Sequence, residues 1–532
     1  MSNNQIASFI LEGKGVVGIE LGSTRIKAVL IGKDYTPIAS STYDWENRLE
    51  KGVWTYHLDD VWKGIQAAFA ELKKEVDKQY GVRMVRLGGL GISAMMHGYL
   101  PFDKDGMQLA EFRTWRNTMT EEASTVLTEM FSFNIPQRWT IAHLYQAILN
   151  CEKHVSNIDY LTTLAGYVHW RLTGLRVVGI GEGAGILPID AQTNDYDQTM
   201  VDKFDALVTP YGFPWKLRRI LPEVLNAGEE AGFLTKEGAL LLDPTGETEY
   251  GAPMCPPEGD AGTGMVATNS VAVHMGNVSA GTSIFSMVVL EKPLSQVYPE
   301  VDMVTTPTGK PVAMIHCNNC TSDINVWVDM LNGFMSAMGH PSDKGSIYPV
   351  LFSAAMRGDS DSGGVVNCGY FSGEPITNVN EGRPILVRTA DAILTFENLS
   401  RSLVFGAIST IAIGMEILKM ECVQIDVLLG HGGFFKTPGT AQKLMAAALR
   451  VPISIMETAG EGGPWGIALL AAYRVHRAIG ETLEEYLTNK VFGNAKRITE
   501  TPDPDDEAGF TTYIERFKAI LPAERAAVAG LK

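Results

Sequence analysis

The chain has 532 residues, 45% hydrophobic and 20% charged, with a formal net charge of -17. That length exceeds one ordinary core and predicts two large domains; the lack of a basic surplus excludes a nucleic-acid partner held through its phosphates, though not a small polyanion held by backbone N–H groups. With no basic-then-apolar leader, no run of about 18 apolar residues and only six cysteines, neither membrane contact nor a disulfide framework is expected, and a reducing cytoplasm is the expected location.

The first strong element is GVVGIELGSTRIKAVLIGKD, Gly15–Asp34. Apolar Val16, Val17 and Ile19 run into a Gly22-Ser23-Thr24 turn, and an alternating run, Ile26, Ala28, Leu30, follows; this predicts a hairpin with a small, hydroxyl-rich tip. Asp59 and Asp60, as N-cap candidates, precede Val61, Ile65, Phe69, Leu72 and Val76 at helical spacing. VRLGGLGIS, Val85–Ser93, reads as a buried strand that enters the loop AMMHGYLPFDKDG. YLTTLAGYVHWRLTG reads as a helix closed by Gly174. PPEGDAGTG, Pro256–Gly264, sets the acid Asp260 among glycines and prolines and predicts a flexible loop.

The pattern then returns. VAVHMGNVSAGTSIFSMVVLEK, Val271–Lys292, is again strand, Gly/Ser/Thr turn and strand. FENLSRSLVFGAISTIAIGMEIL (Phe396–Leu418) has helical spacing, VQIDVLLGHGGFFKTPGTAQKLMAAALRVPISI (Val423–Ile455) reads strand, Gly-rich turn, helix, strand, and GEGGPWGIALLAAYRVHRAIG (Gly460–Gly480) reads as a glycine-led helix. Strands alternating with helices predict an α/β protein, and one hairpin of the same kind in each half predicts a duplicated domain with a cleft between the halves. The polar tail after Asn494 is expected to be a surface excursion.

Gly/Ser/Thr tips let a backbone approach a ligand closely, and their successive N–H groups form anion-binding concavities. Taken singly such tips are plain turns; taken as a pair they suit the phosphates of a nucleotide. Glu20, at the base of the first tip, is placed to meet a hydrated Mg²⁺, which takes few carboxylates; the plain alternative is a solvated acid at a strand end.

An ordered set of stretches resembles the FGGY family of carbohydrate kinases, within the actin-like ATPase superfamily: GIELGSTRIKAVL (Gly18–Leu30), MMHGYLPFDKDG (Met95–Gly106), YVHWRLTG (Tyr167–Gly174), EGDAGTG (Glu258–Gly264), GNVSAGTS (Gly276–Ser283), LLGHGGFFKT (Leu428–Thr437) and GGPWGIALLAA (Gly462–Ala472). The resemblance implies two ribonuclease-H-like domains with an interdomain cleft, taken here as residues 1–265 for the sugar and 266–532 for ATP. It implies ATP and Mg²⁺ as cofactors and a ketose or polyol as substrate, with xylulose-like pentuloses favoured and ribulose, glycerol or another polyol as alternatives. Asp260 matches the family's general base and a second metal contact. Gly22, Ser23 and Thr24 match one phosphate turn, Gly281, Thr282 and Ser283 the other, and Gly432 and Gly433 the adenosine-binding glycines. For the substrate, Met96 and His97 resemble the xylulokinase-type loop, Lys27 stands at a basic position near substrate or phosphate, Trp115 is placed to stack on a sugar face, and Asn117 replaces an acid as a hydrogen-bonding group.

Three departures from the family pattern stand out: Glu20 where Asp is usual, the pair Phe434–Phe435 after the glycines, where they would reshape the adenine pocket or stack on the base, and Ala261 in place of an amide. Glu20 and the Phe434–Phe435 pair motivate a rival reading as a non-catalytic nucleotide- or sugar-binding protein of the same fold; Ala261, together with Asn117, loosens the substrate beyond xylulose. HCNNC, His316–Cys320, offers one CxxC beside a His; with no second ligand pair, it reads first as a structural loop near the cleft or a subunit contact. A homodimer is one assembly this reading allows.

Overall fold

The computed structural model describes residues 2–437, 439–456 and 462–531. In chain order, the elements used below are β1 (Val16–Leu21), β2 (Arg25–Ile31), β3 (Pro37–Asp44), α1 (Leu58–Tyr80), β4 (Gly89–Ala94), α2 (Leu164–Thr173), β5 (Glu258–Gly259) and α3 (Asp260–Ala267). They continue with β6 (Met275–Ala280), β7 (Ile284–Val289), β8 (Asp302–Thr305), β9 (Pro311–Cys317), α4 (Thr321–Ala337), α5 (Phe396–Met420), β10 (Val427–His431), α6 (Thr440–Leu449), β11 (Ile453–Met456), α7 (Gly462–His476), β12 (Arg497–Glu500) and α8 (Pro504–Gly530). Pro438, Gly460 and Glu461, which fall in two of the stretches read above, lie outside the described residues.

The chain forms two compact units. One comprises Met1–Val271, Met303–Val312 and Glu461–Asn494; the other comprises Ala272–Asp302, Ala313–Gly460 and Ala495–Lys532. The split expected at 265/266 therefore falls at 271/272, and two later segments pack with the first half.

The first unit is built on a sheet of order β5-β4-β1-β2-β3. β1 is antiparallel to β2 and parallel to β4, and β4 is parallel to β5. Every residue of β1 is buried, as expected of a strand covered on both faces. The second sheet has the order β8-β9-β7-β6-β10-β11-β12. β6 is antiparallel to β7 and parallel to β10, and β10 is parallel to β11. The strand series β3-β2-β1-β4-β5 and β9-β7-β6-β10-β11 thus repeat one plan, and the predicted duplication of an α/β domain is present.

Helix boundaries follow local chemistry. α1 starts one residue after His57, so Asp59 and Asp60 lie in its first turn, where acids favour the positive end of the helix dipole. It buries Val61, Ile65, Phe69, Leu72 and Val76 and ends on left-handed Gly81. α2 ends on Gly174 in the same conformation. α5 is long and apolar enough to meet a length-and-composition test for a membrane span, and most of it is buried inside the protein.

The expected surface tail is corrected. β12 extends the second sheet, and α8 buries Phe510, Tyr513, Ile514, Phe517 and Leu521. The polar stretch that suggested exposure is the helix start: the Asp503 carboxylate accepts the N–H groups of Asp505 and Asp506, and Asp506 pairs with buried Arg401. Acids clustered before an apolar run are a capping signal.

α7 packs on β1, β4 and α3 at distances that leave no room for side chains. A Cβ at Gly18 would lie 2.1 Å from the Pro464 carbonyl, and one at Gly466 would lie 2.0 Å from the Thr263 carbonyl. Both obstacles are backbone, which cannot rotate away. Gly466→Ala is expected to cost about 1–3 kcal/mol through overpacking. Gly264→Ala, where a Cβ meets nothing within 4 Å, should be neutral or stabilising by up to about 1 kcal/mol. Calorimetric unfolding midpoints of the two variants against the parent chain check this.

Candidate active site

The β1–β2 turn is held by its carbonyls. Gly22 C=O accepts the Trp45 indole N–H at 2.7 Å, Ser23 C=O accepts the Tyr56 hydroxyl at 2.6 Å, and Thr24 C=O accepts the Trp45 backbone N–H at 3.1 Å. A trans peptide points its N–H opposite to its C=O. Anchoring the Gly22 and Ser23 carbonyls therefore turns the amides of Ser23 and Thr24 away from those anchors, the orientation an anion-binding turn requires. Trp115, 38% exposed, donates its indole N–H to Ser23 Oγ at 3.4 Å, so the aromatic and the turn predicted from sequence are neighbours.

At the base of this turn Glu20 and Lys27 face each other across β1 and β2, with Lys27 Nζ 3.7 Å from Glu20 Oε2. α7 covers the acid: a Cβ at Gly463 would lie 1.9 Å from Glu20 Oε1. Burial pushes the Glu20 carboxyl up to about 7; Lys27 opposes the rise and the nearby charge of Asp260 adds to it. Glu20 is therefore not the solvated strand-end acid that formed the plain alternative.

Asp260 does not sit in a flexible loop. It is the first residue of α3, directly after extended Gly259, and its Oδ1 accepts the Met96 N–H at 3.1 Å. The glycines around it serve close packing: a Cβ at Gly259 would strike Met96 and the Glu182 carboxyl. Asp260 is an exposed residue, yet the protein packed around its carboxyl raises its pKa, offset in part by the N–H groups of Met96 and Ala261. Met96 and His97 are buried. His97 has φ +73° and is followed by Gly98 at φ +106°, a sharp turn of the kind that strained sites retain. Burial, then the charge of Arg138, holds the His97 ring well below its usual pKa, leaving a neutral imidazole able to donate and accept.

Asn117 requires correction. It is buried, its Oδ1 accepts the Trp54 N–H at 2.9 Å, and its Nδ2 donates to the carbonyls of Trp54 at 2.8 Å and Thr114 at 3.0 Å. The amide is committed to fastening two backbone segments and is not free for a sugar.

In the second unit the Gly281–Ser283 turn repeats the carbonyl anchoring. Gly281 C=O accepts the Thr321 N–H at 3.0 Å and its hydroxyl at 2.7 Å, and Thr282 C=O accepts the Cys320 N–H at 3.0 Å. The amides of Thr282 and Ser283 are turned the other way. Gly432 closes on the same turn: its φ is +101°, and a Cβ there would lie 2.4 Å from the Ala280 carbonyl, so only glycine fits. A Cβ at Gly433 would meet open space. The predicted phosphate turn and the predicted adenosine glycines are thus adjacent.

Phe434 is a second correction. It and Phe435 are buried, with Phe434 edge-on to Phe352 at 5.5 Å. Its ring belongs to the core and is not presented to a base. Cys317 and Cys320 are buried free thiols whose pKa values burial raises, and the segment that follows Cys317 holds the Gly281–Ser283 turn through the Cys320 and Thr321 amides.

Two acids escaped the sequence reading. Glu258 is buried and accepts the N–H groups of Gly181 at 3.2 Å and Glu182 at 2.9 Å; burial pushes its carboxyl up to about 8. Glu182 is fully buried, and burial raises it well above the carboxylate range, with the charges of Glu258 and Asp260 adding to the effect. Among the described residues, no group of three His, Cys, Asp or Glu is arranged to hold a metal by itself. Two acids, Glu20 and Asp260, close enough to influence each other, suit Mg²⁺ shared with phosphate oxygens and water.

Comparison with known proteins fits this geometry. The family models for the FGGY family of carbohydrate kinases match twice, the N-terminal domain over residues 15–244 and the C-terminal domain over residues 276–475. The xylulose kinase of Haemophilus influenzae is 20% identical over 479 residues, 84% of this chain and 91% of that one. A ligand-bound xylulose kinase and a gluconate kinase, both from Lactobacillus acidophilus, superpose with TM-scores of 0.77 at 16% identity, each covering 96% of this chain and 99% of its own. At that identity the two structures share the fold.

Glu20 gives a pH prediction. Its folded pKa of about 7 exceeds the ordinary 4.5, so the native state keeps a proton that the unfolded chain releases. Its contribution is fully present below about pH 4.5 and is lost as pH rises through 7, on the order of 3 kcal/mol at most. Glu20→Gln should therefore raise the unfolding midpoint relative to the parent at pH 8 and leave it nearly unchanged at pH 4.5. Paired thermal melts at the two pH values measure the difference.

Proposed function

The chain belongs to the FGGY family of carbohydrate kinases, phosphotransferases with an alcohol acceptor, and on that footing we propose that it transfers the γ-phosphoryl group of ATP to a terminal hydroxyl of a ketose, a xylulose-like pentulose favoured. The observation that carries this reading is Asp260: an acid on the first turn of α3, fastened to the Met96 N–H beside the Met96–His97 turn.

Asp260 accepts the proton of the attacking hydroxyl. A fixed carboxylate with a raised pKa is a better base at neutral pH than a free one, and fastening through Met96 holds it in one orientation. Neutral His97 accepts from one sugar hydroxyl and donates to another. Trp115 offers its face to the sugar carbons. Thr282 and Ser283, with Gly432 and Gly433 beside them, supply N–H groups and open backbone for the nucleotide phosphates; the first unit's own turn, Ser23 and Thr24, offers N–H groups of the same kind. Phosphoryl transfer passes through a loose transition state, so holding the groups in line and neutralising charge does most of the work. Glu20 and Asp260 are the residues that would hold Mg²⁺, which would supply charge neutralisation.

A second reading keeps the reaction and changes the acceptor to ribulose, glycerol or another polyol. Two features favour weighing it: Asn117 is committed to Trp54 and Thr114, and the matching solved structures include a gluconate kinase alongside a xylulose kinase.

ADP release measured across a panel of ketoses, polyols and aldonates, with ATP and Mg²⁺, decides the acceptor. Xylulose is expected to give the highest kcat/KM, and turnover confined to a polyol or an aldonate would replace it. Asp260→Asn is expected to lower kcat by about 10²–10⁴-fold while ATP affinity, read by calorimetric titration, stays nearly constant. The acid limb of the parent's pH–kcat/KM profile should lie above the ordinary aspartate range, because Asp260 must be deprotonated to act.

A further inference from the structure

The Gly281–Ser283 turn is oriented by a network that extends well beyond it. The clamps on its carbonyls are Cys320 and Thr321, which stand where β9 gives way to α4. The two residues before them are held in turn. Glu374 Oε2 accepts the Asn318 N–H at 2.9 Å, the Asn319 N–H at 3.3 Å and the Asn319 side-chain N–H at 3.2 Å. Asn319 Oδ1 accepts the N–H groups of Phe371 at 2.9 Å and Ser372 at 3.1 Å, and its Nδ2 donates to the Ser372 carbonyl at 3.1 Å. Asn318 Nδ2 donates to the Gly373 carbonyl at 2.8 Å.

Glu374 is fully buried and Asn319 nearly so. Keeping an acid there is costly unless it is hydrogen-bonded, and the three donors converge on one oxygen. The result is a rigid path of four links: Glu374, the Asn318–Asn319 pair, the Cys320–Thr321 amides, and the carbonyls of Gly281 and Thr282. Because each peptide is planar, a shift of those carbonyls re-aims the Thr282 and Ser283 amides by the same angle.

We propose that Glu374 and Asn319 are positioning residues for the nucleotide, fixing through the Asn318–Thr321 turn the direction in which the Thr282 and Ser283 amides meet its terminal phosphate. This rests on the assignment of the Gly281–Ser283 turn to phosphate. Their effect is transmitted through the clamp, to which their hydrogen bonds connect.

The test compares Glu374→Gln, Asn319→Ala and Thr321→Val with a turn variant, Gly281→Val, by calorimetric titration with ATP, ADP and AMP and by steady-state kinetics. Loss of one or two hydrogen bonds from the path should weaken ATP by about 5–20-fold. The loss should shrink from ATP to ADP to AMP, while the acceptor KM changes less than about twofold. Thr321→Val removes a single hydroxyl from the clamp and keeps the test decisive if Glu374→Gln does not fold; it should weaken ATP by about 3–10-fold. Equal losses for ATP and AMP, or no loss in Thr321→Val, would overturn the positioning role. If Gly281→Val also leaves ATP binding intact, the phosphate assignment of the turn falls with it; if Gly281→Val weakens ATP and the other variants do not, the positioning role alone is wrong.

Discussion

The planarity of the peptide bond is the constraint on which this site depends. Each hairpin turn offers backbone N–H groups, and each is aimed by fixing the carbonyl on the other side of the same peptide. In the first unit the fixing groups are an indole and a phenol, Trp45 and Tyr56. In the second they are the amides at the start of α4, braced from behind by Glu374. Each turn aims its own amides, with side chains unrelated to those of the other. What repeats is the strand plan and the need to hold carbonyls, not the residues that hold them.

The electrostatics follow from the same packing. Glu20, Glu182, Glu258 and Asp260 bring four acids into one region of a strongly acidic chain, and burial raises the pKa of all four. Lys27 is the cation paired with Glu20, and backbone N–H groups meet Glu258 and Asp260. Such a region is poorly disposed to four simultaneous negative charges, and it is well disposed to a cation arriving with phosphate or to hydroxyl groups able to donate.

The architecture and the positions of both turns were legible from sequence because each rests on local pattern: apolar runs broken by Gly, Ser and Thr, and helices ended by glycine. Asp260 stood out in the sequence as an acid among glycines. Its surroundings were misread, because glycine that serves close packing looks the same in sequence as glycine that serves flexibility; contact with Thr263 is what marks Gly466, and contact with Met96 is what marks Gly259. Asn117 and Phe434 were misassigned for a related reason. An amide beside a tryptophan, or a phenylalanine after two glycines, can face a ligand or the interior, and only the fold decides. Glu374 gave no local signal, since Asn318 and Asn319, which donate to it, lie 56 and 55 residues earlier in the chain. The tail after Asn494 was misread because its polar opening was taken as representative of the helix that it caps.

The return of α7 to the first unit bears on how this chain folds during synthesis. β1, β4 and α3 are complete within the first 267 residues, yet the helix that lies against all three is translated near residue 470. Until it emerges, the glycine-lined surface at Gly18 and Thr263 has nothing to cover it. A nascent chain must therefore carry an unfinished first unit through production of almost the whole second one, an interval in which apolar surface stands exposed and a holding chaperone has something to grip.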